Sequence, residues 1–278
     1  MYKRVVSAAV YMAALLICVA NLSTDTESKI GSVYAREIEK FNYQLGYTDI
    51  YATTYSPHLR AAVPTAADNS QEENMNKTAY LTFDDGPTPR TGEILDILEA
   101  HNIKATFFVI CSKDDYRPYM QRAAQEGHSI GVHSASHNYK EIYRSVDAYL
   151  DDFTECYNYI QSHTGTEPLI YRFPGGSVNN YNSHTRKEIA REMARRGFIY
   201  FDWNVESGDS GKVTADGIYR NVMDGCKGKQ RAVIIMHDSS SKKTTVEALD
   251  RIITDLKNDG WEFRPLTNEV KPVIFRMK

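Results

Sequence analysis

Cysteine is scarce in this 278-residue chain. The four present, Cys18, Cys111, Cys156 and Cys226, form no C-x-x-C pair, which excludes a thiolate zinc centre of that kind. Cys18 lies in an N-terminal apolar run, so an odd number is left for the rest of the chain, which argues against a disulfide framework. The remaining three are expected as core or surface thiols. An excess of charge is also missing: 33 Lys and Arg stand against 36 Asp and Glu, a net charge of −3, with no basic cluster. That balance gives no support to a nucleic-acid partner. There are no internal repeats. The one apolar run at the N-terminus, residues 5–20, is short for a membrane-spanning helix and typical of a signal-peptide core.

Lys3 and Arg4 precede that run, and polar sequence begins at Asn21. Residues 1–22 therefore read as a signal peptide or membrane anchor, with Cys18-Val19-Ala20 offering a small-residue cleavage site. Residues 30–46 carry Val33, Ile38 and Phe41 among charges and fit a short amphipathic helix. Residues 64–76 are polar and linker-like, so 23–76 reads as a stalk that holds residues 77–278 away from a membrane. The folded part is expected to work outside the cytoplasm, secreted or anchored to the outer face of the cell membrane. With 42% hydrophobic and 25% charged residues, the composition suits one globular domain plus this appendage.

The chemistry is concentrated in a few short segments. Lys77-Thr78-Ala79-Tyr80-Leu81 is β-prone and runs into Thr82-Phe83-Asp84-Asp85-Gly86-Pro87, so two carboxylates emerge at a strand end. Downstream, His133-Ser134-Ala135-Ser136-His137 sets two imidazoles four residues apart. That spacing puts both rings on one face of a helical turn, where they can share a cation. Two His and one Asp make a metal site with open coordination positions, and the second Asp is left over to act as a base. Alone, Asp-Asp-Gly-Pro is more often a solvated turn and His-x-x-x-His a hydrogen-bonded face. Three more segments change that balance: Tyr171-Arg172-Phe173-Pro174-Gly175-Gly176, the stretch from Phe201 to Asp209, and Ala232-Val233-Ile234-Ile235-Met236-His237-Asp238, which reads as a buried strand ending on a His.

Taken in order, the five segments resemble the polysaccharide deacetylase family (carbohydrate esterase family 4, or NodB-like domain) over residues 77–269. The resemblance implies an α/β fold, a distorted and incomplete (β/α) barrel. It implies a hydrolase that removes acetyl groups from cell-wall glycan, foremost peptidoglycan N-acetylglucosamine. Its cofactor would be a divalent metal, Zn²⁺ or another first-row ion such as Co²⁺, held by Asp85, His133 and His137. Asp84 would be the base, kept ionised and aligned by Arg172, and the Gly175 N–H would donate to the oxyanion. His237 would protonate the leaving amine, with Asp209 orienting its ring. Ile235 would line a pocket for the acetyl methyl, though plain core packing accounts for it equally well. A monomer is expected. Other readings are deacetylation of chitooligosaccharide or acetyl-xylan, a catalytically weak glycan-binding member, and a non-haem iron oxygenase, which shares the two-His-one-carboxylate set.

Two positions depart from the family pattern. Gly175 stands where an aromatic is usual, and Ser210 follows Asp209 where Trp is usual, so the cleft is expected to lose aromatic lining. His101, His128, His163 and His184 match no motif and are expected to be structural or solvated.

Alternation of strand and helix runs from residue 78 onward. Strands are expected at 78–83, 105–110, 129–132, 169–172, 199–203, 232–236 and 261–265. Helices are expected at 89–102 with Thr88 as cap, 118–126, 145–163, 185–196, 215–223 and 244–258. Such alternation gives parallel strands with right-handed crossovers, and the chemical residues fall at carboxyl ends of strands.

Overall fold

A computed structural model describes residues 77–112 and 114–277. The leader at 1–22, the stalk at 23–76 and the amphipathic helix at 30–46 lie outside the described residues. The strands are β1 (Thr78–Asp84), β2 (Thr106–Ile110), β3 (Ser129–Ser134), β4 (Ile170–Tyr171), β5 (Ile199–Tyr200), β6 (Val205–Glu206), β7 (Arg231–His237) and β8 (Glu262–Phe263). Between them run α1 (Pro89–Ala100), a 3₁₀ turn (Asp114–Tyr116), α2 (Arg117–Gln125), α3 (Tyr139–Ile142), α4 (Val146–Thr164), α5 (Arg186–Arg195), α6 (Ala215–Cys226) and α7 (Lys243–Asn258). Among the described residues no helix is long and apolar enough to cross a membrane.

Every pairing in the sheet is parallel, in the order β5-β4-β3-β2-β1-β7-β6. β1 lies in the middle because its residues are buried on both faces, as the near-continuous apolar runs of parallel strands require. β7 pairs along all of one edge of β1. The other edge is shared: β8 takes Thr78 and Ala79, and β2 takes Thr82 to Asp84. The two end strands, β5 and β6, do not pair with each other. The C-terminal segment bridges that gap, with Asp202 N–H donating to Val273 O at 2.8 Å and the Trp203 and Phe275 rings meeting edge-on. This is the distorted, incomplete (β/α) barrel implied by the sequence.

Side chains alternate across β1, so Tyr80, Thr82 and Asp84 share one face. Tyr80 joins Phe108, Ile170, Phe201, Val233 and Leu266 in a buried cluster, onto which Val270 and Val273 of the C-terminal segment pack. Asp84 and Thr82, on the same face nearer the carboxyl end, are left for chemistry. Outside, α7 presents Leu249, Ile252, Ile253 and Leu256 as a buried stripe, each side chain worth roughly 1.5–3 kcal/mol once removed from water. Cys111, Cys156 and Cys226 are all buried free thiols, which selects the core reading.

Thr88 caps α1 as expected, in a capping box with Thr91 and with Pro89 in the first turn. Only 199–200 of the strand expected at 199–203 forms, as β5, and β6 at 205–206 was not anticipated. The Phe201 N–H still donates to Tyr171 O of β4, but the backbone then leaves it: Asp202 bonds to the C-terminal segment, and Asn204 exchanges hydrogen bonds with Val233 before β6 begins beside β7. α3 was not anticipated, because four residues are too few to display a helical period.

Candidate active site

The site begins with a close approach at the ends of β1 and β7. A Cβ at Gly86 would lie 2.0 Å from the Asp238 carboxylate, so no side chain fits there. Asp238 in turn accepts from Thr91 Oγ1 (2.5 Å), and its N–H donates to Asp84 O (3.0 Å). The capping threonines of α1 thus also fasten the two central strands, since Thr88 Oγ1 donates to Asp238 O. Asp85 adopts φ +76°, a conformation that Asp tolerates better than most residues. Consecutive carboxylates therefore part company, Asp84 turning inward and Asp85 toward the histidines.

Asp84 is buried against Arg172, whose side chain is wholly inaccessible. Arg172 Nη1 donates to Asp84 Oδ1 at 2.8 Å and to Thr82 Oγ1 at 2.7 Å. Its Nε donates to Phe201 O (2.8 Å), its Nη2 to Asp202 O (3.2 Å), and the guanidinium lies over the Phe108 ring. A planar fork satisfied on every edge holds one rotamer and fixes the carboxylate it grips. Arg172 does not line the cavity; it stands behind Asp84.

His133 and His137 are not on a helical turn, contrary to the sequence expectation. His133 is the penultimate residue of β3, and His137 follows in a loop with φ +54°. The loop is shaped by Asp152 of α4, which accepts from Ser134 Oγ, Ala135 N–H and Ser136 N–H, while His137 N–H donates to Ser134 Oγ. This network folds the chain back and brings the rings to a centroid distance of 5.3 Å, which a helix would have done by period alone.

Asp85 Oδ1 lies 3.6 Å from His133 Nε2 and 3.3 Å from His137 Nε2, and the three candidate ligand atoms fall within 4.8 Å of one another. His133 Nδ1 sits 2.9 Å from Arg172 O, so that nitrogen carries the proton and Nε2 presents its lone pair. Two imidazoles and a carboxylate converging in this way fit a divalent first-row cation with positions left for water and substrate.

Asp84 and His237 are register partners on adjacent strands. His237 Nδ1 is 2.7 Å from Asp209 Oδ1, while Asp209 Oδ2 accepts from His237 N–H and Thr245 Oγ1, both at 2.8 Å. Nε2 of His237 is left for the cavity. Burial opposes the imidazolium, yet the Asp209 hydrogen bond and the charges of Asp84, Asp209 and Asp85 outweigh it and push His237 up to about 9. Burial likewise opposes the Asp209 carboxylate, but bonds from His237 and Thr245 hold it below the usual carboxylate range.

Asp84, Asp85, His133, His137, Gly175, Asp209, Ile235 and His237 all border one cavity of about 240 Å³. Ile235 is 5% exposed and also borders it, so it is both packed and cavity-facing. Gly175 and Gly176 have φ +75° and +81°, conformations in which a β-carbon is strained. The loop is held by Asp202, whose carboxylate accepts from Ser177 N–H and Ser177 Oγ and from Phe275 N–H. Among the cavity residues that sequence reasoning missed are Tyr139, Gly176, Trp203 and Glu206. For Tyr139 its position two residues beyond His137 was the available signal. The aromatic lining expected to be lost is partly present, since Tyr139 and Trp203 border the cavity beside the two glycines.

Comparison with known proteins agrees with this architecture. The polysaccharide deacetylase family model matches residues 71–198. A peptidoglycan-N-acetylglucosamine deacetylase of Bacillus cereus is 34% identical over 200 residues, covering 69% of this chain and 70% of that protein. The crystal structure of the catalytic domain of peptidoglycan N-acetylglucosamine deacetylase from Eubacterium rectale superposes with TM-score 0.70 at 36% identity, covering 73% of this chain and 94% of that one. The polysaccharide deacetylase Bc1974 from Bacillus cereus gives 0.65 at 33% identity, over 72% of this chain and 97% of that one. With the barrel, the ordered segments and relatives matched over most of their length in agreement, the chain belongs to the polysaccharide deacetylase family.

Proposed function

We propose that the protein hydrolyses the N-acetyl group of N-acetylglucosamine in peptidoglycan, releasing acetate and leaving a free amine. One observation carries the reading: a three-ligand metal cluster, an Arg-clamped carboxylate and an Asp-bound imidazole border the same cavity. Amide hydrolysis needs an activated water, a stabilised oxyanion and a proton for the departing amine. Asp85, His133 and His137 would hold a divalent cation, zinc or cobalt by ligand chemistry, which when bound would supply Lewis-acid chemistry to the site.

The protein's own groups do the rest. Asp84 takes the proton from the attacking water, and Arg172 keeps its carboxylate aimed. The Gly175 N–H donates to the growing oxyanion. His237 delivers its proton from Nε2 to the amine nitrogen as the carbon–nitrogen bond breaks, and Asp209 keeps Nδ1 occupied so that Nε2 faces the reaction. Ile235 forms the apolar side against which the acetyl methyl rests. One proton enters at Asp84 and one leaves from His237, so exchange with solvent resets both. An oxygenase finds no support in this family or in the Asp84–Arg172 clamp, and an inert glycan-binding module has no need of it.

The domain works on the outer side of the cell membrane as a monomer, with residues 1–22 as leader or anchor and 23–76 as the stalk that holds it away from the membrane. The apolar run at residues 5–20 and the peptidoglycan-directed names of the relatives support the placement outside the membrane. Acetate release from purified peptidoglycan, chitin oligomers and acetyl-xylan, with and without chelator, tests the proposal. Release from peptidoglycan that stops with chelator is expected; release from acetyl-xylan alone would overturn the N-acetyl assignment.

A further inference from the structure

The space beside Gly175 is filled from another element. A Cβ built on Gly175 would lie 3.1 Å from both Cε2 and the hydroxyl oxygen of Tyr139. Tyr139 is the first residue of α3, and its ring meets that of His137 edge-on at 5.1 Å. α3 is tied to the Gly175 loop one helical turn further on. There Tyr143 is 1% exposed, its hydroxyl donates to Pro174 O at 2.7 Å, and Thr185 Oγ1 donates to Tyr143 O. The position of the Tyr139 ring over Gly175 is therefore built in. On its outer side Tyr181, one of the exposed large hydrophobic residues, meets Tyr139 edge-on at 5.3 Å. Tyr139 borders the cavity, and among the described residues neither its hydroxyl nor the Gly175 N–H has a protein partner.

We propose that Tyr139 contacts the substrate: its ring forms the wall that a side chain at position 175 would otherwise make, and its phenol donates a hydrogen bond to the acyl oxygen beside the Gly175 N–H. The inference rests on the deacetylase reading and adds a residue to it. A phenol keeps its proton at neutral pH and is a competent donor. Two donors bordering the same cavity, with the Tyr139 hydroxyl 3.1 Å from where a Cβ on Gly175 would stand, suit an oxygen on which negative charge grows. The positive φ of Gly175 explains why the ring arrives from α3 and not from the loop itself.

Tyr139→Phe tests this cleanly, because it removes the hydroxyl without removing any protein hydrogen bond. At equal zinc content, kcat on N-acetylglucosamine oligomers should fall about 10²-fold with KM changed less than about two-fold, the signature of a contact made in the transition state. Tyr139→Ala should raise KM as well. A Tyr139→Phe enzyme with wild-type kcat overturns the proposal, and so does a fall accompanied by lost metal or a lowered melting temperature. If the wild-type protein releases no acetate from any N-acetyl glycan, the deacetylase reading fails on its own. Binding of sodium acetate to the zinc-loaded protein, followed at the Gly175 amide by NMR, still reads the donor pair. Weaker acetate binding by Tyr139→Phe supports the assignment, and equal binding refutes it.

Discussion

Arg172→Met is the substitution whose consequences the structure sets out most fully. It leaves the volume of the side chain largely filled but removes the charge that faces Asp84, itself 2% exposed. It also deprives the Thr82 hydroxyl and the Phe201 and Asp202 carbonyls of their donor. Breaking a buried ion pair from one side costs about 3–5 kcal/mol, because the surviving charge stays uncompensated. In a domain of about 200 residues each kcal/mol lowers Tm by roughly 2–4 °C, so a fall of about 6–20 °C is expected. Urea denaturation and thermal melts of Arg172→Met, Asp84→Asn and the double variant measure the effect and its origin. Removing the Asp84 charge in the Arg172→Met background should restore part of the loss, a coupling of about 1–3 kcal/mol. Additive losses, or a single variant melting within about 2 °C of wild type, would refute the buried clamp.

Other expectations concern the chemical groups directly. His237→Ala should cost about 10²–10⁴-fold on an N-acetyl sugar and much less on a nitrophenyl acetate ester, whose leaving group needs no proton; equal losses would remove His237 from the mechanism. With its pKa raised from 6.5 to about 9, His237 stabilises the metal-free fold fully below its unfolded pKa, and that contribution fades as pH rises through about 9. Asp209→Asn should therefore destabilise the metal-free protein near about pH 6 and progressively less toward alkaline pH, with an NMR-titrated His237 moved downward. His133→Ala and His137→Ala should lose metal and turnover together, whereas Asp84→Asn should keep metal and lose turnover, as elemental analysis beside an activity assay will show.

The fold was legible where its physics is local. Buried parallel strands show as unbroken apolar runs, as in 232–236, and Thr88-Pro89 announces a helix start through its own capping chemistry. Asp84 and His237 could be placed at strand ends because each closes such a run. What was not legible depends on partners far away in the chain. The His133–His137 loop is held by Asp152 of α4, and no spacing within the pentapeptide reveals that. The break at Asp202 comes from the Phe275 N–H and the Ser177 side chain, residues without any pattern linking them in sequence. Tyr139 escaped notice because its place in the cavity depends on the missing side chain of Gly175, thirty-six residues further on.

If a single cation on Asp85, His133 and His137 makes this cavity a deacetylase, turnover must follow that cation. Zinc titrated into the chelated protein, with acetate release from peptidoglycan counted at each addition, tests it most directly. Activity should rise in proportion to zinc and level off at one equivalent, with cobalt able to substitute and magnesium unable to do so. Full turnover in the presence of chelator, or rescue by magnesium alone, would rule out that dependence.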